Sequence, residues 1–208
     1  MLSKKNFFQN YNLNSNTFKR NFIKTKRIFE SFKLDFQTEI PLLQSYEKNY
    51  KMNFSSKTIK KFSKYQNIII FGMGGSILGS KCIYSFLKNK IKKKIFFFDN
   101  LDPNLHLRFK KIKNLLNSCF IVVSKSGDTL ETITNLSSVS SKRLLQNKLV
   151  FITEIIDSHL MTIANKYNAE IIEHKEFIGG RYSVLSETGM FPAALMDLSL
   201  IKFKNLKR

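Results

Sequence analysis

Asn67-Ile68-Ile69-Ile70-Phe71-Gly72-Met73-Gly74-Gly75-Ser76-Ile77-Leu78-Gly79-Ser80 is the stretch from which the fold can be read. Its apolar run is too short for a helix and shows no polar alternation, which marks a strand buried on both faces. Glycines end the strand abruptly, and Ser76 then opens an amphipathic segment. A buried strand, a glycine turn and a helix in direct succession form the first half of a βαβ unit.

Toward the C-terminus the same order repeats. Short runs rich in Ile, Val or Phe place strands at 67–72, 94–99, 119–124, 148–153 and 169–173. Helical segments are expected near 76–89, 103–116, 129–146, 157–167 and 185–200. Continuous apolar strands alternating with helices predict an α/β fold, a doubly wound five-stranded parallel sheet covered on both faces. Toward the N-terminus, Phe18, Phe22, Ile23, Phe29 and Phe32 recur at helical spacing, Pro41 breaks the pattern, and Leu42, Leu43 and Tyr46 begin a second short helix. The expected organisation is a helical arm over 1–66 and one domain over 67–208.

A chain of 208 residues supports one well-buried core rather than two large domains. No apolar stretch follows Lys4 and Lys5 as in a secretory signal, and the longest apolar runs are far too short to cross a bilayer, so a cytoplasmic location is expected. Cys82 and Cys119 lack metal-ligand spacing and read as buried, reduced thiols. The formal charge of +20 comes almost wholly from lysine, with arginine at 20, 27, 108, 143, 181 and 208. Because the lysines are dispersed along the chain, neither nucleic acid nor a membrane is expected as a partner, and the positive field is assigned to gathering anionic substrates.

In parallel sheets of this kind ligands bind beyond the carboxyl ends of the strands, which directs attention to three loops. The first, Gly72 to Ser80, is either a tight turn with Ser76 as N-cap or an anion site at a helix N-terminus. It has neither the Gly-Lys-Ser/Thr of a Walker loop nor the third glycine of a dinucleotide fingerprint. The second, Ser124-Lys125-Ser126-Gly127-Asp128-Thr129-Leu130-Glu131-Thr132, sets hydroxyls and an ammonium at a helix start. A capping box of Asp128 with Glu131 accounts for part of it, but the hydroxyls left over favour a phosphate monoester. The third, Ile178-Gly179-Gly180-Arg181-Tyr182-Ser183-Val184-Leu185-Ser186, is by itself a turn with a surface arginine.

Together these loops resemble the glucose-6-phosphate isomerases, within the wider class of sugar isomerase (SIS) domains, over about residues 40–200. The third is the most specific, because other SIS proteins share forms of the first two. The resemblance implies a flavodoxin-like SIS domain that interconverts glucose 6-phosphate and fructose 6-phosphate without metal or organic cofactor, commonly as a homodimer. Ser76, Ser124, Lys125, Ser126, Thr129 and Thr132 would hold the phosphate. The backbones of Gly75 and Gly180 would approach the sugar, and Arg181 would face the enediol intermediate. The family's glutamate base, ring-opening histidine and late lysine belong to a second SIS-like domain that this sequence does not match. Glu131 and Glu187 do not correspond to that base, and His106, His159 and His174 read as surface or loop residues. The expectation is an N-terminal portion that binds sugar phosphate and turns it over poorly. The competing expectation is a non-catalytic SIS module that senses a phosphosugar.

Overall fold

The computed structural model describes residues 14–35, 40–47, 49–139, 145 and 148–204. The chain divides into two units, Met1–Ile40 and Pro41–Arg208. Helix α1 (Ser15–Asp35) is the described element of the first, and it stacks Phe18 on Phe22 with ring centroids 6.1 Å apart. The boundary falls after residue 40, so residues 41–66, grouped with the arm on sequence grounds, belong to the unit that holds the strands. They include a 3-10 turn, Pro41–Tyr46, and helix α2 (Ser56–Ser63), whose Phe62 is buried in the core.

Strands β1 (Asn67–Gly72), β2 (Lys94–Phe98), β3 (Ser118–Val123), β4 (Leu149–Thr153) and β5 (Glu170–Glu173) form one parallel sheet in the order β2-β1-β3-β4-β5. Every residue of β1, β3 and β4 is buried, whereas the edge strands β2 and β5 are partly exposed. Alternate residues feed two cores, as the strand period requires. Ile69, Phe71, Phe120, Val122 and Phe151 face helices α4 (Leu105–Lys110), α5 (Leu130–Val139) and α6 (His159–Tyr167). Ile68, Ile70, Ile121, Val123 and Ile152 face α2, α3 (Gly75–Leu87) and α7 (Glu187–Leu195). Burial of each such side chain is worth about 1.5–3 kcal/mol, which makes the three central strands the least replaceable part of the fold.

Some elements are shorter than their sequence patterns. The helix expected over 103–116 stops at Lys110, and a separate 3-10 turn follows at Leu115–Asn117 behind Asn114, which adopts a left-handed conformation. The segment expected at 129–146 is helical through Val139, and residues 140–144 lie outside those described. The last helix divides into a 3-10 turn (Gly180–Leu185), α7 and α8 (Leu200–Lys204), with Asp197 at φ 62° between the two helices. Within α7, Pro192 has no N–H for the carbonyl of Thr188, and the hydroxyl of Ser80 on α3 donates to that carbonyl instead at 2.8 Å. The proline therefore costs no buried acceptor, and it ties α7 to α3.

Candidate functional site

The strand order turns the chain outward from β1 to β2 and then back to β3 on the other side, so the loops after β1 and β3 diverge, and in sheets of this kind that divergence is the crevice at which ligands bind. Their strands are adjacent, with Gly72 in register with Val123. Helix α3 starts at Gly75 behind Gly74, which has φ 51° and no side chain to cap with. Ser76 is thus the second residue of the helix, and its hydroxyl does not serve as the N-cap.

The third loop closes against the first. A methyl group on Gly75 would lie 2.4 Å from the carbonyl carbon of Gly180 and 2.8 Å from the nitrogen of Arg181. Only the absence of a side chain lets the two backbones meet. The Ser183 hydroxyl secures the contact, donating to the Gly180 carbonyl at 2.7 Å and reaching that of Gly75 at 3.5 Å. Ser186 and Thr188 both donate to the carbonyl of Ser183, at 2.8 and 2.6 Å, which fixes the turn from behind. The side chain of Arg181 is exposed on this turn.

In the second loop Ser124 is buried and its Oγ lies 2.8 Å from Oγ1 of Thr129. Gly127 has φ 74°, and a methyl group there would fall 2.2 Å from Oγ of Ser158. The hydroxyl of Ser126, on an exposed residue, accepts the Asp128 N–H at 3.3 Å. Thr132 is fully buried on the first turn of α5, and its hydroxyl has no hydrogen-bond partner. A buried hydroxyl in that condition carries a desolvation cost with no compensating hydrogen bond.

Two side chains of this loop act differently from their sequence reading. Asp128 does not form a capping box with Glu131. Its carboxylate accepts the backbone N–H of His159 at 2.9 Å and lies 2.8 Å from Nδ1 of the same residue, so it caps α6 from the neighbouring loop. Those two interactions, the backbone one first, hold the Asp128 carboxyl below the usual carboxylate range. Its negative charge is thereby directed away from the helix start that bears the hydroxyls. The Lys125 ammonium ion-pairs with Glu154 at 3.4 Å and donates to the carbonyl of Glu176. It joins the loop to the ends of β4 and β5.

Those ends wall a cavity of about 490 Å³ lined by Glu154, Ile155, Glu173, His174, Lys175 and Glu176 among others. His174, read as a surface or loop residue, lies in the loop after β5 and is buried, unlike the exposed His106 and His159. Burial pushes its pKa down, assisted by the charge of Lys125; the hydrogen bond of Nδ1 to the Lys175 carbonyl at 3.1 Å, then Glu187 and Glu154, oppose the shift only in part. Cys82 also departs from expectation, being exposed on α3, while burial pushes the Cys119 thiol up to about 12.

A second polar group was missed. Glu187, 1% exposed at the start of α7, accepts the Tyr50 hydroxyl at 3.0 and 2.9 Å and the Asn53 N–H at 3.0 Å. Burial and then the Glu187 charge raise the Tyr50 pKa, so the phenol stays a donor. Asn53 also reaches Glu173 at 3.0 Å. Nothing in the spacing of residues 50 and 187 announces this pair. Among the described residues no cluster of His, Cys, Asp and Glu is suited to a metal ion.

Comparison with known proteins identifies the family. A family model described as phosphoglucose isomerase matches residues 35–207. The chain belongs to the phosphoglucose isomerase family. Among curated relatives, glucose-6-phosphate isomerase of Methanocaldococcus jannaschii is 34% identical over 69% of this chain and 36% of its own length. That of Borreliella afzelii is 31% identical over 80% of this chain and 33% of its own. The chain therefore spans about a third of the length of these phosphoglucose isomerase relatives. A solved glucose-6-phosphate isomerase from Chlamydia trachomatis superimposes with a TM-score of 0.53 at 29% identity, covering 64% of this chain and 27% of that one. The hypothetical protein TT0462 from Thermus thermophilus shares the fold, with a TM-score of 0.67 at 20% identity over 89% of this chain and 48% of its own.

Proposed function

We propose that this chain is the phosphate-holding portion of a glucose-6-phosphate isomerase. It takes glucose 6-phosphate or fructose 6-phosphate at the crevice between the loops after β1 and β3. The observation that carries the reading is the contact of Gly75 with Gly180, which brings the loop of Ser76 and the loop of Arg181 together beside the Ser124–Thr129 hydroxyl pair. In this reading the hydroxyls of Ser76, Ser124, Ser126, Thr129 and Thr132, with Lys125, hold the phosphate dianion at the N-termini of α3 and α5. The unpartnered Thr132 hydroxyl supports it, since a donor left idle in the free protein is one a phosphate oxygen can use. Arg181 stabilises the negative charge that develops on the enediolate during proton transfer between C1 and C2. Lys125 has to exchange Glu154 for the phosphate, or contribute through its backbone alone.

Three carboxylates near the crevice are engaged elsewhere: Asp128 caps α6, Glu154 pairs with Lys125 and Glu187 is held by Tyr50, while Glu131 does not correspond to the family's base. None is a free general base in this arrangement, so the isolated chain is expected to bind substrate with turnover reduced by a factor on the order of 10² to 10⁴ or more. A place in glycolysis and gluconeogenesis, a cytoplasmic location and a homodimer are the corresponding expectations for the complete enzyme. Among the described residues no helix is long and apolar enough to cross a membrane.

Calorimetry with fructose 6-phosphate and a coupled isomerase assay on the same sample test the reading. Binding with little turnover supports it. Enzyme-like turnover in the isolated chain would show that a base is present in it, and absence of binding would leave the fold without this function. A chain that binds phosphosugars but does not raise turnover when supplied with the rest of a family enzyme would favour a non-catalytic sensing module.

A further inference from the structure

The fold of Pro41–Arg208 sorts many of its charged side chains by sign, although Lys81, Arg108, Lys125, Lys175 and Arg181 are cations on the carboxyl side. Carboxylates follow the strands: Asp99 and Asp102 come after β2, Asp128 and Glu131 after β3, Glu154 and Asp157 after β4, and Glu176 after β5. Lysines precede them. Lys60, Lys61 and Lys64 close α2 ahead of β1. Lys88, Lys90, Lys92 and Lys94 lead into β2, and Lys110, Lys111 and Lys113 lead toward β3. All of these lysines are exposed, and because every strand runs in the same direction they share the amino edge of the sheet.

Hydrogen bonds between the turns make that edge one continuous surface. The Lys93 ammonium donates to the Ser63 carbonyl at 2.7 Å, joining α2 to the turn before β2. Asn67 donates to the carbonyls of Lys113 and Asn114 at 3.0 and 3.2 Å, and Lys148 to that of Leu116 at 2.9 Å. Lys61 meets Glu170, the first residue of β5, at 2.7 Å. Glu170 and Asp197, which lies 3.9 Å from Lys93, are the described carboxylates paired with lysines here.

Helix dipoles explain part of the sorting, since cations are favoured at helix C-termini and anions at N-termini. They do not explain Lys92, Lys94 and Lys113, which lie outside helices, nor a surface with so little opposite charge. The lysines look scattered in the sequence, and the parallel topology gathers them.

We propose that the amino edge binds the phosphate backbone of nucleic acid without reading its sequence. Charge spread over successive turns suits a line of phosphates better than a single anion. The exposed side chains of Gln66, Asn89, Asn114 and Asn117 stand among the lysines as neutral donors for phosphate and sugar oxygens. Lysine in place of arginine provides no bidentate grip on a base edge, which makes the contact indifferent to sequence. A bilayer fits less well, because stable attachment needs apolar insertion as well as charge, and in the last turn of α3 and the turns before β2 and β3 the large, exposed apolar side chains among the described residues are Phe86 and Leu116. The face lies at the opposite end of the strands from the phosphosugar crevice, so this proposal stands independently of the isomerase reading.

The test is fluorescence anisotropy of a labelled uridine oligomer of about 30 nucleotides with the full chain, at salt from about 50 to 200 mM. The variant K92E/K94E/K111E/K113E is expected to bind more than about tenfold more weakly, with the log–log salt slope reduced by about 3. The control K19E/K24E/K26E/K33E makes the same change of charge on α1 and is expected to stay within about twofold of the original protein. Circular dichroism and a parallel set of lysine-to-glutamine variants separate lost binding from lost folding. Equal weakening by both charge reversals, or no binding of the oligomer by the unaltered chain, overturns the proposal. Displacement of the oligomer by vesicles rich in phosphatidylserine would overturn it in favour of a membrane surface.

Discussion

Thr132 and His174 are two residues whose burial costs the folded protein free energy. The Thr132 hydroxyl is buried without a partner, so Thr132→Val, of nearly the same shape, should leave stability unchanged or raise it by up to about 1–3 kcal/mol. The same change should weaken fructose 6-phosphate binding if the hydroxyl serves a phosphate oxygen. Urea unfolding and calorimetry on one preparation separate the two effects, and lost stability with unaltered binding would make Thr132 a packing residue. His174 is buried beside Lys125, Glu154 and Glu187, with a folded pKa below its unfolded value near 6.5. The folded protein refuses a proton that the unfolded chain accepts. Its contribution to stability is therefore complete above about pH 6.5 and is lost as pH falls below that value toward the folded pKa. The urea midpoint of the natural chain should fall between pH 7.5 and 5.5, and that of His174→Gln should fall less. Parallel decline in both proteins would assign the effect to other groups.

At the scale of elements, α3 is the member that joins core and crevice. Its N-terminus presents Gly75 to Gly180, and Ser80 one turn further on supplies the hydrogen that Pro192 cannot. Ser80→Ala should leave the buried Thr188 carbonyl without a partner and cost about 1–3 kcal/mol, measurable as a shift in the unfolding midpoint. No shift would mean that the carbonyl finds another donor. Gly75→Ala should act on both links, because backbone atoms at 2.4 Å cannot yield as a flexible side chain would. The two loops must separate, so weakened phosphosugar binding is expected in any of this variant that remains folded. Much at this scale was legible beforehand. All five strands lie within two residues of their expected bounds; the fully buried β1, β3 and β4 write themselves as nearly unbroken apolar runs, and the partly exposed β2 and β5 keep an apolar centre. The helices were less exact, since their ends depend on single residues such as Asn114 and Asp197 taking left-handed conformations.

The whole molecule comprises a helix-bearing unit, Met1–Ile40, and a unit, Pro41–Arg208, that contains both cores. A chain of residues 41–208 should therefore unfold in one cooperative transition, and a broad, non-cooperative melt would show that residues 1–40 complete the core. Charge is also a property of this scale. The sequence assigns the lysine excess to drawing anionic substrates inward, yet the fold gathers the lysines around α2, β2 and β3 on the amino edge, while carboxylates follow the strands at the opposite end.

The amino-acid sequence by itself determined the parallel sheet, the three loops and their family, because each is a local pattern: an apolar run, a glycine turn, a cluster of hydroxyls. Tertiary structure alone decided which groups remain available. Asp128 is taken by His159, Lys125 by Glu154 and Glu187 by Tyr50, across separations of 31, 29 and 137 residues. The physical reason is that a hydrogen bond or ion pair depends on distance in space, which a chain of this topology sets only when strands far apart in sequence become neighbours.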